Sequence, residues 1–410
     1  MKNKTLLGFF FLLTLQSFSQ SISSSPYSLY GLGSTYDADF GSNASIGSSG
    51  IALPSNQYIN NLNPASLGSM YLNHFMFDIG GKAILTSYEN SANKENRNNV
   101  QFSHIAVAFP VTKKSGFSFA LKPYSSSTYK ISNLALPIYN SSDYYTLDAT
   151  GTGGLNDVDF SYGYKISKKL SLGASMSYLF GSTSDDKTYT IENSITSIYK
   201  NTTYNGARFS LGTQFALDST LTIGSTIKLP TRINASKVES VTAINNSGTT
   251  TVESEEVSDV DNYYMPLEVG FGVSKRFKNN LNLTVDYGRS FWNGTNQSDL
   301  YGDFKNQDKF AIGFSYSKPK TIRSYLDRIK YSTGFNYDTG YLEVDNNKVK
   351  NMSLSLGVSL PLENTFSALN ISYSYGQKGS VGNGLIKENY HKISLNLSLD
   401  GIWFIKRKID

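Results

Sequence analysis

The residues able to do chemistry are few and scattered. His74, His104 and His391 are the only imidazoles in 410 residues, and none stands in HExxH or a comparable metal-ligand spacing. Cysteine is absent, which removes thiolate metal sites, thiol nucleophiles, disulfides and a lipoprotein anchor. No GxSxG elbow accompanies the many serines, so none has an implied base. Gly376-Gln377-Lys378-Gly379 has the wrong spacing for a phosphate-binding loop. The acidic run Glu253-Ser254-Glu255-Glu256-Val257-Ser258-Asp259-Val260-Asp261 carries oxygen ligands of the kind Ca²⁺ takes. It lacks the glycine and closing glutamate of an EF-hand loop and reads as a solvated loop. These residues point to no enzyme, no metal site and no cofactor.

Composition narrows the class further. Lys and Arg number 37 against 32 Asp and Glu, a mild and dispersed excess that implies no nucleic-acid partner. Only 39% of residues are hydrophobic, and past residue 20 no run approaches the roughly 18 apolar residues of a spanning helix. Yet 29 Tyr, 24 Phe and 2 Trp are too much aromatic surface for a disordered chain. Residues 1–19 read as a cleaved secretory signal peptide. Lys2 and Lys4 form its basic start, Leu6 to Leu15 its apolar stretch, and Ser17 and Ser19 the small residues before cleavage. The chain is therefore expected to be exported.

From residue 70 the pattern is period two. Met352, Leu354, Leu356, Val358 and Leu360 share one face of a strand; Ser353, Ser355, Gly357 and Ser359 share the other. Ile393, Leu395, Leu397 and Leu399 alternate in the same way with Lys392, Ser394, Asn396 and Ser398. Such stretches predict fourteen strands, running from 70–86, 100–110 and 116–130 to 366–377 and 387–399. Connections alternate between short ones, such as 111–115 and 167–169, and long polar ones, such as 131–155, 183–202 and 236–261. A short helix over 321–327 interrupts one turn. An even strand number with loops sorted by length is the plan of an outer membrane barrel, not of a soluble sandwich. The predicted fold is all-β: a 14-stranded antiparallel transmembrane β-barrel over 70–410, localised in the cell outer membrane.

Charge sorts with the same two rims. Lys113, Lys114, Lys168, Lys169, Lys275, Arg276 and Lys278 fall in short turns, where they can meet outer membrane lipid phosphates, and Lys406-Arg407-Lys408 adds to them. Asp143, Asp185, Asp186, Glu255 and Asp299 fall in the long loops. Tyr124, Tyr129, Tyr263, Tyr264, Phe291, Trp292, Trp403 and Phe404 lie near strand ends, as interfacial girdles require.

Residues 20–69 are too polar to span a membrane and too poor in apolar residues for a core of their own. Ile46, Ile51, Leu53, Ile59, Leu62 and Leu67 are spaced anchors, and the lumen is the economical place for such a segment. Within it Asn63-Pro64-Ala65 resembles the Asn-Pro-Ala signature of the long-chain fatty acid transporter (FadL) family, and the small residues Gly41 to Ala52 resemble the entry to that family's hatch. The ending Asp400 to Arg407 is similar to a divergent branch without the usual terminal Phe. The resemblance implies an N-terminal hatch over 20–69 inside the barrel. It also implies passive uptake of a hydrophobic, long-chain fatty acid-like compound. Pro123, which cannot donate to a ladder, is the candidate for a lateral gate in the third strand. The hatch is short of charges that would grip a carboxylate. The alternative is a non-transporting barrel subunit of a larger outer membrane protein complex, for example one associated with the type 9 secretion translocon. Fold does not choose between them.

Overall fold

The computed structural model describes residues 25–36, 40–245, 248–259, 262–299, 302–318, 324–362, 366–382 and 384–403. The expected signal peptide, the first three residues of the expected helix at 321–327, Phe404 and the basic run at 406–408 lie outside the described residues. Within reach of that expected helix, Leu326–Arg328 forms a single 3-10 turn.

The chain folds as a closed antiparallel barrel of fourteen strands with an N-terminal hatch in its lumen. Closure comes from the first strand, His74–Glu89, pairing with the last, Lys387–Ile402, from His74↔Ile402 to Glu89↔Lys387. The expected alternation selects the faces. Leu354 and Leu356 are 54% and 53% exposed, while Ser355 between them is 2% exposed. Ser394 and Asn396 are likewise buried, alternating with exposed Ile393 and Leu395. Apolar side chains thus look outward, and Ser, Asn and Gly look into the lumen. This inversion of a soluble protein is stable only where lipid covers the outer face.

The strands outrun the sequence reading on one side of the barrel. The second is Lys94–Thr112, the fourth Tyr144–Lys165, the fifth Leu170–Ile191 and the sixth Ser194–Ala216. The seventh comprises Leu221–Lys228 and Thr231–Asn245; the eighth comprises Gly248–Asp259, Tyr263–Met265 and Glu268–Arg276. The ranges 183–202 and 236–261, expected as loops, are therefore largely continuations of hairpins. Their polar residues hid them: beyond the bilayer both faces of a sheet are wet, so the period-two signal fades while the ladder goes on.

Opposite this tall wing the wall is short. Its strands are the ninth, Leu281–Ser290; tenth, Gln307–Ser317; eleventh, Lys330–Asp338; twelfth, Asn351–Pro361; and thirteenth, Ala368–Lys378. These match the roughly 9–11 residues that cross a bilayer at a tilt. The 22 residues of the fifth strand reach about 70 Å at ~3.3 Å per residue, far beyond it.

Candidate functional site: the filled lumen and a break in the wall

The hatch is held at the level of its backbone. Asn63 caps the 3-10 turn Pro64–Ser69, its Oδ1 accepting from Ala65 N at 3.0 Å. The same amide's Nδ2 donates to Ile51 O at 2.9 Å within the hatch and to Thr213 O at 2.9 Å on the sixth strand. Pro64 occupies the first helical position, where its missing N–H is no loss. Ala65 is fully buried. Each residue of the tripeptide has a distinct physical reason: reach, a preset φ, and small size.

Glycines of the wall make room for this contact. A Cβ on Gly212 would lie 2.0 Å from Asn63 Oδ1, one on Gly173 2.3 Å from Ala65 N, and one on Gly163 2.4 Å from Pro64 O. Further round, Gly224 and Gly272 face Ile51, Gly313 faces Ile46, and a Cβ on Gly334 would lie 2.1 Å from Gly47 N. Where the wall carries side chains they bind the hatch instead. Asp286 accepts from Gly50 N at 2.6 Å and Ile51 N at 3.0 Å, and Asn396 donates to Gly41 O at 3.0 Å. Single-sequence reading finds these glycines as strand residues on the inner face, but not what they touch.

The histidines are structural braces in the wall. His104 Nε2 lies 2.5 Å from Asp78 Oδ1, Ser398 Oγ donates to Asp78 Oδ2 at 2.5 Å, and Ser103 Oγ is 3.2 Å from His104 Nδ1. The order Ser103–His104–Asp78 is that of a nucleophile with its base and orienting acid. Phe40 of the hatch nevertheless stacks on the imidazole at 3.8 Å, and both His104 and Asp78 are fully buried, so no substrate reaches them. His74 pairs with Asp400 at 2.9 Å, and His391 meets Tyr373 Oη at 2.7 Å. The three do not converge, and among the described residues no cluster of His, Asp and Glu could hold a metal. Side chains of the acidic run 253–261 lie outside the described residues; its backbone up to Asp259 is strand.

The outer mouth is capped. The loop segments Ser298–Asp299, Gly302–Phe304, Leu342–Val344 and Asn347–Lys348 form a small four-stranded sheet over it. Beneath the cap Tyr27 of the hatch joins Trp292, Phe304, Leu342 and Val349 in one apolar cluster. Trp292 stacks on Tyr341 at 4.7 Å, and Asp299 accepts from Gly31 N at 2.7 Å. This corrects the girdle reading of Trp292, 5% exposed, of Tyr129, 2% exposed, and of Tyr124 and Tyr263, which pack against interior clusters; all four face inward. Trp403 and Tyr264 do face out, Trp403 stacked on Phe75 at 4.5 Å.

Between cap and hatch the remaining space has a mixed lining: a cavity of about 240 Å³ runs along Ile51, Leu62, Val269 and Ala311 as well as Lys228, Glu268, Asp286 and Lys309. A cavity of about 150 Å³ is lined by Lys82, Lys378, Lys392 and Glu388 together with Tyr36, Tyr88 and Tyr390. A smaller one of about 60 Å³ beside Leu62 and Pro64 is lined by Lys122, Asp157, Arg208 and Lys228. Lys122 pairs with Asp157 at 3.3 Å and Arg208 with Glu268 at 3.0 Å. A vestibule of about 1000 Å³ outside carries Asp185, Lys187, Lys200 and Asp299. Apolar positions of the inner wall are already filled by the hatch: Leu32 packs with Leu155, Leu179, Ile233 and Met265.

The third strand is broken. Its inner piece, Ser115–Pro123, pairs with the second strand only as far as Ile105↔Leu121 and with the fourth as far as Pro123↔Asn156. Beyond it the chain stays on the fourth strand through Tyr124 N to Leu155 O at 2.8 Å and Ser127 N to Gly153 O at 3.0 Å, while its other edge passes to the hatch: Ser125–Ser126 pairs with Ser34–Thr35 and Tyr36 N donates to Tyr124 O at 3.0 Å. It continues as Tyr129–Pro137, paired with the fourth strand alone. Pro123 therefore stands at the upper end of the regular ladder, where the hatch replaces the second strand as neighbour.

Three structural comparisons give the fold. A toluene transporter from Ralstonia pickettii superposes with a TM-score of 0.61 at 15% identity, covering 87% of this chain and 97% of that one. The Pseudomonas putida toluene transporter TodX gives 0.63 at 14% identity, with coverages of 90% and 100%. A FadL homologue from Pseudomonas aeruginosa gives 0.59 at 11% identity, with the same coverages. The hatch-filled barrel is thus the FadL-type fold, reached by a divergent sequence. No curated protein matches the chain. The profile of the BamG family does, over residues 1–410. The chain belongs to the BamG family. This BamG-family barrel shares the architecture of hydrophobic-compound channels at identities that establish fold alone.

Proposed function

We propose that this chain is a sealed outer membrane barrel serving as a subunit of a larger outer membrane assembly. The filled lumen carries this reading. Hatch backbone lies against wall glycines around the ring, and each of these remaining cavities, though partly apolar, carries lysines and carboxylates in its lining. A hydrophobic solute entering such cavities would displace water from charged groups that it cannot bind, and the space beside the hatch is small for it. The outer rim, the tall wing and the lipid-facing wall stay available to a partner. Native mass spectrometry of protein extracted in mild detergent, paired with tracer flux in proteoliposomes, tests this. The expected result is a stoichiometric protein partner and no flux of a hydrophobic tracer above protein-free vesicles. Flux through the barrel with no co-purified protein would overturn it.

The break beside Pro123 favours a second reading, passive uptake of a hydrophobic, fatty acid-like compound with lateral exit into the bilayer. In that case substrate enters from the vestibule and leaves past Pro123, while the hatch around Asn63-Pro64-Ala65 stays in place as the floor. The neighbouring toluene transporters share the barrel on which this reading rests.

A further inference from the structure

We propose that the break in the wall is a strand-acceptor seam, which takes an extended segment of a partner polypeptide as an added β-strand; the inference rests on the assembly reading above. Above Ile105 the second strand has a ladder with the first strand only, from Lys94 to His104. Across the break Tyr129–Pro137 has a ladder with the fourth strand only. Two backbone edges are thus left without a ladder among the described residues.

The lower part of this seam keeps the pattern of a paired wall. Val100 and Phe102 look outward, 70% and 44% exposed, while Gln101 between them looks into the cavity that Ser126 and Lys82 also line. Apolar out and polar in is a face built for lipid on one side and lumen on the other. Charge, which blunts a solvent-exposed edge, begins only higher, at Arg97, Glu95 and Lys94. Unpaired N–H and C=O groups against hydrocarbon cost several kcal/mol, and acyl chains offer them neither donor nor acceptor. A peptide backbone offers both, which is why strand addition at an open edge is a general mode of recognition. The chain already does this once: at the foot of the seam Ser34–Thr35 of the hatch pairs with Ser125–Ser126. The occupant expected above it is an extended segment with apolar residues in the outward register of Val100 and Phe102 and small or polar residues in that of Gln101.

The test uses the full chain in its native membrane. A benzophenone amino acid is placed singly at Val100, Phe102 and Leu134, at Ile191 on the wing, and at lipid-facing Leu354 of the fully paired twelfth strand. Heat-modifiable gel mobility verifies folding of each variant. The expected outcome is adducts from Val100 and Phe102 to one polypeptide, mapped to residues two apart in it, with none from Leu354. Amide exchange at 99–104 should slow about tenfold or more in the complex relative to the purified barrel. Adducts only from Ile191, with a partner co-purifying, would overturn the seam and leave the assembly reading standing. Lipid adducts alone at the seam, with no co-purified protein, would overturn both. Adducts to a second copy of this chain would overturn the claim of a distinct partner.

Discussion

Gly334 illustrates how the hatch is fixed. Its backbone is ordinary strand, yet any side chain there meets Gly47 N. Overpacking of this kind costs about 1–3 kcal/mol where side chains can shift, and here the obstacle is backbone. Gly334→Val should therefore leave the ladder intact and displace the hatch, bringing 40–70 within reach of an added protease that spares the parent protein. The Asp78–His104–Ser398 network makes a sharper energetic case. Asp78→Ala leaves two buried polar partners without their acceptor, a loss of about 3–5 kcal/mol for a buried pair. Asp78→Ala combined with His104→Leu should cost clearly less than the two single changes summed. Strict additivity in chemical denaturation would mean that the two side chains act independently.

The third strand is where local sequence and sheet pull apart. Gly33 has φ of +86°, and a Cβ there would lie 2.2 Å from Ser126 O, so the two-residue ribbon that ties the hatch to the strand depends on this glycine. Gly33→Val should free Ser125–Ser126, seen as faster amide exchange at 34–36 and 124–127. Pro123→Val restores one donor where the ladder ends. Under lateral exit it should lower uptake of a hydrophobic tracer in a correctly assembled barrel. Under strand acceptance it should leave vesicle flux at the protein-free level. Unchanged, appreciable uptake would remove Pro123 from the gate.

Taken whole, the barrel is lopsided. A tall sheet stands on one side, short strands on the other, and polar turns close both ends. The tall side is expected outside the cell. Gly248, at a tip of the wing, has φ of +130° and is a poor site for a probe, since a side chain is strained there. Tyr139, 92% exposed in the turn after Tyr129–Pro137, is better. With no native cysteine competing, Tyr139→Cys should label with an impermeant maleimide on intact cells, and Lys168→Cys only after lysis. The reverse pattern would invert the assignment of the rims.

Period-two alternation at Met352–Leu360 and Ile393–Leu399 was enough to read strands, their two faces and their number. A membrane-spanning strand must present apolar side chains to lipid at every second position, and that demand is local. Asn63-Pro64-Ala65 was legible as a motif and Pro123 as a point where a ladder loses a donor, because both reflect the chemistry of single residues. The glycine belt, the cap over Trp292 and the pairing of Ser34–Thr35 with Ser125–Ser126 were not legible. Each joins segments far apart in sequence through close backbone approach, which leaves no period and no charge pattern behind. Whether lumenal serines and lysines line a path or pack against a plug is likewise a matter of what stands opposite them, and closure of the barrel around the hatch decides it.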